Sequence, residues 1–293
     1  MSSHMLLALL GRPDSVQPDT VERKLLLRFS PREFGVGLSS GRRLRCFRFP
    51  GRWMAGSELD RLREDVRAVA LARLGTVPEY GVFLPGRAPW CNRVVTCLYD
   101  RDGRAIAFST VMAYALPVDG RVHQVFQLGL VVSDGRSRQS TIGSVYFWPL
   151  AYILALRGFR QYWVASATMI PNIVGIFADA FVDVFPHYRR RRRPSPAVLA
   201  IARLLVSRHG AEFAAGPESR FDEETFAVSD GYIAAAAPLH KTWDQVAKHA
   251  DPRCNELCRR VLDYQRGDDL LQIGRVNLGL LLRRTIGGVE KRR

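Results

Sequence analysis

The chain has 293 residues, of which 47% are hydrophobic and 24% are charged. This composition excludes a disordered or fibrous protein and predicts a globular chain long enough to bury a sizeable core. The net charge at pH 7 is +15, and only four of the 43 basic residues are lysines. The excess of arginine reflects either a coding bias or an acidic partner, such as nucleic acid, a phosphorylated cofactor or an acidic carrier protein.

The five cysteines form no CxxC pair and have no histidine at zinc-ligand spacing, which indicates a reducing compartment and predicts no metal site. The longest apolar runs, residues 146–156 and 5–10, fall short of the ~20 residues that span a bilayer. The second run also lacks the charged lead and cleavage site of a signal peptide. We therefore expect a cytoplasmic protein without a membrane span.

Residues 1–56 carry clustered arginines and short apolar runs, which predict an N-terminal arm, as strands or as a covering segment. A helix is expected from Ser57, taken as its cap, to residue 74, with Gly75 as its stop. Its apolar residues recur at helical spacing: Leu59, Leu62, Val66, Val69 and Leu74.

Three antiparallel strands are predicted next, over residues 93–99, 105–116 and 122–132. The turns between them are Asp102-Gly103 and Asp119-Gly120, in which both residue types tolerate positive φ. Along the third strand, a period of two separates one set of side chains from the other. A β-bulge would exchange the two faces, and Gly129 is the position at which we expect one.

The stretch over residues 127–143 has the pattern of a strand, a loop and the start of a helix. An apolar run reaches a Ser-Asp-Gly turn and a basic, hydroxylated loop, and a helix follows as far as Gly158. Such a junction binds anions, because the first N–H groups of a helix have no intrahelical partner and lie at the positive end of its dipole. It predicts a phosphate site, the alternative being a basic loop that only caps the helix.

Beyond this junction, residues 162–168 form a continuous apolar run typical of a strand within a covered parallel sheet. Pro171-Asn172 opens a further helix, and a returning strand is expected over 182–188. Five arginines at 189–193 mark a boundary, as a solvated loop or as a binding patch. Residues 189–293 then predict a largely helical extension, with helices at 195–209, 253–265 and 276–284.

The segment 138–143, RQSTIG, resembles the signature of the GNAT superfamily of N-acetyltransferases. That signature is Arg or Gln, two residues, Gly, one residue, then Gly or Ala. Arg138 and Gly143 fit it, and Thr141 stands where the family has its first glycine. The order of elements over residues 57–188 is also similar. The resemblance implies an α/β fold with a GNAT-like mixed central sheet flanked by helices, framed by the arm and the helical extension.

The resemblance also implies an activity, the transfer of an acyl group from a thioester to the amine of a small molecule by direct attack. Its co-substrate would be acyl-CoA or an acyl group borne on phosphopantetheine, with an acidic acyl carrier protein as a partner. N-acyl amino acid synthases belong to the same superfamily, which makes a long-chain donor an option. No GxSxG, HExxH or GxxxxGK(S/T) motif indicates a competing chemistry.

Several binding residues follow from the resemblance. A backbone N–H between Leu130 and Val132 would polarise the thioester carbonyl. Asn172 would contact the pantetheine arm, a plain helix cap being the alternative. The pyrophosphate would lie on the loop and the start of the helix, at Arg138, Gln139, Ser140, Thr141, Ile142 and Gly143.

The catalytic positions of the family match this chain less closely. Its frequent Tyr acid, seven residues past the Asn, falls on Asp179, and its Glu base falls near Gln127, which cannot take a proton. His123 shares a face with Gln127 and is the candidate base, a structural role being the alternative. Tyr188 is a further candidate acid, and ordered water is another route for the amine proton.

Two other functions remain open at the level of sequence. The charge, the arginine run and the missing tyrosine are compatible with a basic nucleic-acid-binding protein on a degenerate GNAT scaffold. Acylation of an aminoacyl end of tRNA would need both sets of features.

Overall fold

The structure, a computed structural model, describes residues 27–38, 41–135, 139–213, 215–216, 218–230 and 239–276. These residues form ten strands: β1 Leu27–Phe29, β2 Glu33–Gly37, β3 Arg43–Arg48, β4 Arg93–Tyr99, β5 Ala105–Val118, β6 Arg121–Ser133, β7 Tyr162–Thr168, β8 Val182–Phe185, β9 Ala227–Val228 and β10 Asp269–Val276. They make one sheet in the order β1-β2-β3-β4-β5-β6-β7-β10-β8, with β9 paired to β10.

Five α-helices of the described residues flank this sheet: α1 Gly56–Leu74, α2 Gln139–Leu156, α3 Pro171–Ala180, α4 Pro196–His209 and α5 Pro252–Val261. Neighbouring strands are antiparallel except β6 and β7, which are parallel and are joined through α2. Parallel neighbours need such a crossover connection, so α2 begins at the carboxyl end of β6. The predicted fold class, a mixed α/β sheet flanked by helices, is confirmed.

Helices cover both faces of the sheet. On what we call the first face, Val145 of α2 and Phe177 of α3 share a core with Leu128 and Val164. On the second face, side chains of α1 pack with Phe108 and Val132, whereas those of α4 pack with Met112, Val125 and Trp163. The sheet is therefore the middle layer of three, and most of its strands are buried on both sides.

Helix α1 follows the predicted periodicity, because the apolar residues from Leu59 to Val69 are the ones it buries. It ends as predicted at Gly75, which has φ of 74° and donates its N–H to the Leu71 carbonyl at 2.9 Å. The predicted Ser57 cap is wrong. The N-cap is Ala55, which makes no side-chain capping hydrogen bond, and the helix begins at Gly56, two residues earlier than a cap at Ser57 requires.

The predicted hairpins are confirmed. Gly103 has φ of 80° between β4 and β5, and Asp119 and Gly120 have φ of 51° and 70° between β5 and β6. The three strands lie where the alternation predicted them, although β5 and β6 extend somewhat further. Turn chemistry and side-chain alternation together therefore located the centre of the sheet.

The segment after residue 188 supplies helices and also a strand inside the sheet, next to the edge strand β8. Ser195 caps α4 as predicted, accepting from the Val198 N–H at 3.3 Å, and the predicted face of α5 buries Cys254 and Cys258. Strand β10 was not predicted, yet it lies between β7 and β8. Val276, expected to start a helix, is its last residue, and residues 277–284 lie outside the described ranges.

None of the helices in the described ranges is long and apolar enough to cross a membrane.

A close approach between α3 and residue 249 gives the first prediction. A Cβ at Gly175 would lie 2.5 Å from Cγ and 2.6 Å from Nε2 of His249. The backbone of His249 is held in turn by the Asn255 amide, through bonds of 2.8 and 2.9 Å. We expect Gly175→Ala to lower the free energy of unfolding by about 1–3 kcal/mol, measured by urea denaturation, because the ring must move.

Gly56→Ala is the matched control. This second helical glycine has nothing within 4 Å of its Cβ position. Its replacement should leave stability within about 1 kcal/mol of the original protein. Equal stability of the two variants would contradict the packing described here.

Candidate functional site

The parallel pairing of β6 and β7 ends before the strands do. Their paired residues run from Val125–Trp163 to Leu128–Ser166. Both strands continue beyond the last pair, β6 to Ser133 and β7 to Thr168. We call the space between these two continuations the β6–β7 opening.

A β-bulge bends β6 at this point. Ser109 of β5 pairs with Val131, and Val111 pairs with Leu128, so that Gly129 and Leu130 together face the single residue Thr110. The bulge predicted at Gly129 is confirmed. An extra residue in a strand is left outside the ladder and bends the strand away, which accounts for the separation of β6 from β7.

The bulge also exchanges the two faces of β6. Phe126 and Leu128 pack in the first-face core, whereas Leu130 and Val132 pack in the second-face core beneath α1. The even-numbered residues of β6 therefore change face after Leu128. The backbone of Leu130 to Val132, predicted to polarise a carbonyl, lies along the opening.

Two helices begin at the carboxyl ends of the strands that border the opening. Helix α2 starts at Gln139 after β6, and α3 starts at Pro171 after β7. The first turn of α2 has no acidic residue, and its leading N–H groups have no intrahelical partner. This geometry suits an anion.

The predicted phosphate-binding residues lie at this helix start. Gln139, Ser140, Thr141, Ile142 and Gly143 form the beginning of α2. Gly143 is exposed. Arg138 and the side chains of residues 139–142 lie outside the described part of the chain.

Asn172 lies in the first turn of α3, beside the opening. Its N–H donates to the Ala247 carbonyl at 3.0 Å, so a later part of the chain already occupies that helix N–H. The N-cap of α3 is Ile170 rather than Asn172, which removes the simple capping explanation for this asparagine.

His123 lies far from the opening. It is seven residues before Leu130, which is ~20 Å along an extended strand. Its Nδ1 accepts a hydrogen bond from the Trp163 indole N–H at 3.0 Å. The imidazole therefore orients a core tryptophan in this structure.

Asp179 and Tyr188 lie together, at the other end of α3. The Tyr188 hydroxyl donates to the Asp179 carboxylate at 2.8 and 3.0 Å, and His249 Nε2 lies 3.8 Å from the same carboxylate. Burial and this hydrogen bond raise the pKa of Tyr188. Asp179 is eight residues past Pro171, or ~12 Å along the helix from the opening.

The arginine run at 189–193 is partly structural. Arg189 lies 3.2 Å from Asp251 and 3.5 Å from Asp179. Arg192 donates to the Val184 carbonyl at 3.3 Å. These contacts connect the run to the chain, so it is not simply a solvated loop.

A polar cluster on the second face was missed by sequence reasoning. Arg93 is buried and donates to Glu212 at 3.2 Å, and the Asn92 amide donates to the same carboxylate at 2.9 Å. The His209 ring stacks on Tyr114 at 4.0 Å, and burial lowers the pKa of His209. These residues are up to 120 positions apart, so no local pattern could have grouped them.

A separate cleft of about 550 Å³ lies at the end of α5. Its lining residues fall between Trp243 and Asp268 and include Arg259, Arg260 and Arg266. Arg266 forms a two-bond ion pair with the buried Asp268, both bonds at 2.7 Å. None of the residues of β6 and β7 lines this cleft.

No protein-family model and no curated protein matches the chain. A solved structure of a conserved protein of unknown function from Enterococcus faecalis, described as a probable N-acyltransferase, is 11% identical with a TM-score of 0.35. The match covers 59% of this chain and 44% of that one, so the chain spans less than half the length of that protein.

Two further solved structures are similar over shorter segments. A mutant of the AtaT toxin, bound to the C-terminus of the antitoxin AtaR and to acetyl-CoA, is 8% identical with a TM-score of 0.26, covering 31% of this chain and 59% of that one. The tetramutant of BH1408 protein from Bacillus halodurans is 11% identical with a TM-score of 0.24, covering 39% and 76%. Identities and TM-scores this low assign the chain to no family.

The bulge gives a second prediction. A Cβ at Gly129 would lie 2.5 Å from Thr110 Oγ1 and 3.1 Å from Met112 Sδ. We expect Gly129→Ala to lower the free energy of unfolding by about 1–3 kcal/mol, because β5 is packed inside the sheet and cannot move away from the added Cβ. The double variant Gly129→Ala, Thr110→Ala should recover part of this loss, measured by urea denaturation; no recovery would show that the clash is not with Thr110.

Proposed function

We propose that the protein is an acyltransferase that moves an acyl group from a thioester to the amine of a small molecule. The observation that carries this proposal is the β6–β7 opening, bordered by a bulged strand and by the starts of two helices. An extended thiol-bearing arm between the strands would place its phosphates at the start of α2 and its thioester beside the bulge.

The residues at the opening suit a phosphorylated donor. The leading N–H groups of α2 can donate hydrogen bonds to phosphate, and the first turn of the helix has no acidic residue to compete for them. The donor is acyl-CoA or an acyl group on the phosphopantetheine of an acyl carrier protein, since both carry the same arm. The net charge of +15 favours either anionic partner.

The reaction needs no covalent enzyme intermediate. The amine nitrogen bonds to the acyl carbon while the C–S bond breaks, the amine loses one proton, and the thiolate takes up one proton through solvent to give an amide and a thiol. The protein's part is to orient the two reactants and to stabilise the developing oxyanion. A backbone N–H between Leu130 and Val132 is the proposed donor to that oxygen.

The proposal assigns no proton transfer to the predicted acid and base residues. His123 lies too far along β6, and Asp179 and Tyr188 lie at the opposite end of α3. His123 is engaged with Trp163, and the Tyr188 hydroxyl is engaged with Asp179. Ordered water is the proposed acceptor of the amine proton.

The third prediction tests the donor site by calorimetric titration of the full chain with acetyl-CoA, a long-chain acyl-CoA and an acyl carrier protein. We expect saturable binding of at least one donor. Ser140→Asp should weaken that binding at least about tenfold, or ~1.4 kcal/mol, because a carboxylate at the start of α2 repels phosphate. The same change supports the helix dipole, so the variant should remain folded.

Ser57→Asp is the matched control. It makes the same substitution at the second residue of α1. The last turn of α1, and not its first, lies near the end of β6, since a Cβ at Gly135 would lie 3.3 Å from Arg73 Nη1. Donor affinity should stay within about twofold of the original value, since a twofold change is under 0.5 kcal/mol. Absence of binding by all three donors would overturn the proposed function, and equal weakening by both variants would overturn the assignment of the site to α2.

A further inference from the structure

Gln127 of β6 is buried, and its side-chain amide has no hydrogen-bond partner among the described residues. Its exposed fraction is 0%, and neither Oε1 nor Nε2 has a partner within the described residues. Buried polar groups are almost always paired, because leaving them unpaired destabilises the fold. Gln272 is equally buried and its Oε1 also has no partner there, but its Nε2 donates to the Pro186 carbonyl at 3.0 Å. An amide with neither group paired within the described residues is available to bind a ligand.

Arg93 lies in the same row as Gln127, where a row is a set of residues paired with one another across neighbouring strands. Arg93 of β4 pairs with Met112 of β5, and Met112 pairs with Gln127 of β6. Paired residues project from the same face, so Arg93 and Gln127 flank Met112 on the second face, ~10 Å apart between Cα atoms. Arg93 is 4% exposed and its Nε–H also lacks a partner among the described residues.

Other polar groups surround this row. Glu212 holds one end of the Arg93 guanidinium at 3.2 Å, which leaves the pair close to neutral. The loop after α1 approaches Arg93, because a Cβ at Gly81 would lie 3.3 Å from Arg93 Nη1. Burial and Asp269 raise the pKa of the adjacent Tyr80, while Arg93 lowers it. Asp269 is itself buried at the start of β10.

The row adjoins the opening. Gln127 precedes the bulge residue Gly129 by two positions, and both project toward the second face, where a Cβ on Gly129 would meet Thr110 and Met112. An amine held by Gln127 would therefore lie beside a thioester in the opening.

We propose that Gln127 and Arg93 form the acceptor subsite, and that it takes a small amine carrying an oxygen acceptor, as carboxylate, carbonyl or hydroxyl. This inference rests on the proposed acyl transfer. Oε1 of Gln127 accepts an N–H of the amine and leaves the nitrogen lone pair directed at the thioester. The Nε–H of Arg93 donates to the oxygen of the same ligand. Gln127 orients the amine and takes no proton.

Four amine probes test the subsite by calorimetry on the full chain, with and without saturating coenzyme A. They are leucine, leucinamide, glucosamine and isopentylamine, of which the last has no oxygen. We expect at least one oxygenated amine to bind at least tenfold more tightly than isopentylamine, and the best binder identifies the type of oxygen. Equal affinity for isopentylamine, or no binding of any probe, would overturn the proposal.

A pair of variants separates binding from structure. Gln127→Leu should weaken binding of the oxygenated amine at least tenfold without lowering Tm, because it removes an amide that has no partner among the described residues. Gln272→Leu should lower Tm, since the Pro186 carbonyl loses its donor, and should leave amine affinity within twofold. A lower Tm with unchanged amine affinity in Gln127→Leu would assign Gln127 a structural role instead. Gln127→Met should give the same results as Gln127→Leu, because it also removes the amide but has an unbranched side chain.

Titration with the donor distinguishes failure of the amine subsite from failure of the proposed acyl transfer. Gln127→Leu should bind acetyl-CoA within twofold of the original protein. If the protein binds acetyl-CoA but none of the amines, the subsite assignment fails and the proposed donor site stands. If amines bind in a Gln127-dependent way and no donor binds, the acyltransferase proposal fails.

Discussion

The contact of Gly129 with Thr110 is the constraint on which the centre of the molecule depends. Two residues of β6 face one residue of β5, and only a residue without a Cβ fits against Thr110. The bulge bends β6, its ladder with β7 ends at Leu128, and the following side chains turn to the second face. A single steric requirement thus produces the opening and fixes which residues border it.

The end of the chain stabilises the helix that begins at this opening. Strand β10 pairs with β7, and the Ala247 carbonyl accepts from the Asn172 N–H in the first turn of α3. The ring of His249 packs on Gly175 one turn further along. The position of α3 is therefore determined by residues about 75 positions later in the chain, and the C-terminal segment belongs to the architecture of the site.

The second face contains buried polar groups that lower the stability of the fold, and packing alone does not explain them. The amide of Gln127 and the Nε–H of Arg93 are buried in one row without partners in the described residues, where apolar side chains would be more stable. A fold retains such groups where they serve binding, because stability and function compete at sites. In the proposed acceptor subsite these groups bind the amine, which accounts for the stability they forgo.

Local patterns in the sequence determined much of this fold. Helical spacing predicted α1 and the buried face of α5, Asp-Gly pairs predicted the hairpins, and a glycine within a strand predicted the bulge. The pairing of β10 beside β7 and the row of Arg93 and Gln127 were decided only by the tertiary structure. Periodicity and turn chemistry act over a few residues, whereas strand order and register depend on contacts between distant segments that no local pattern encodes.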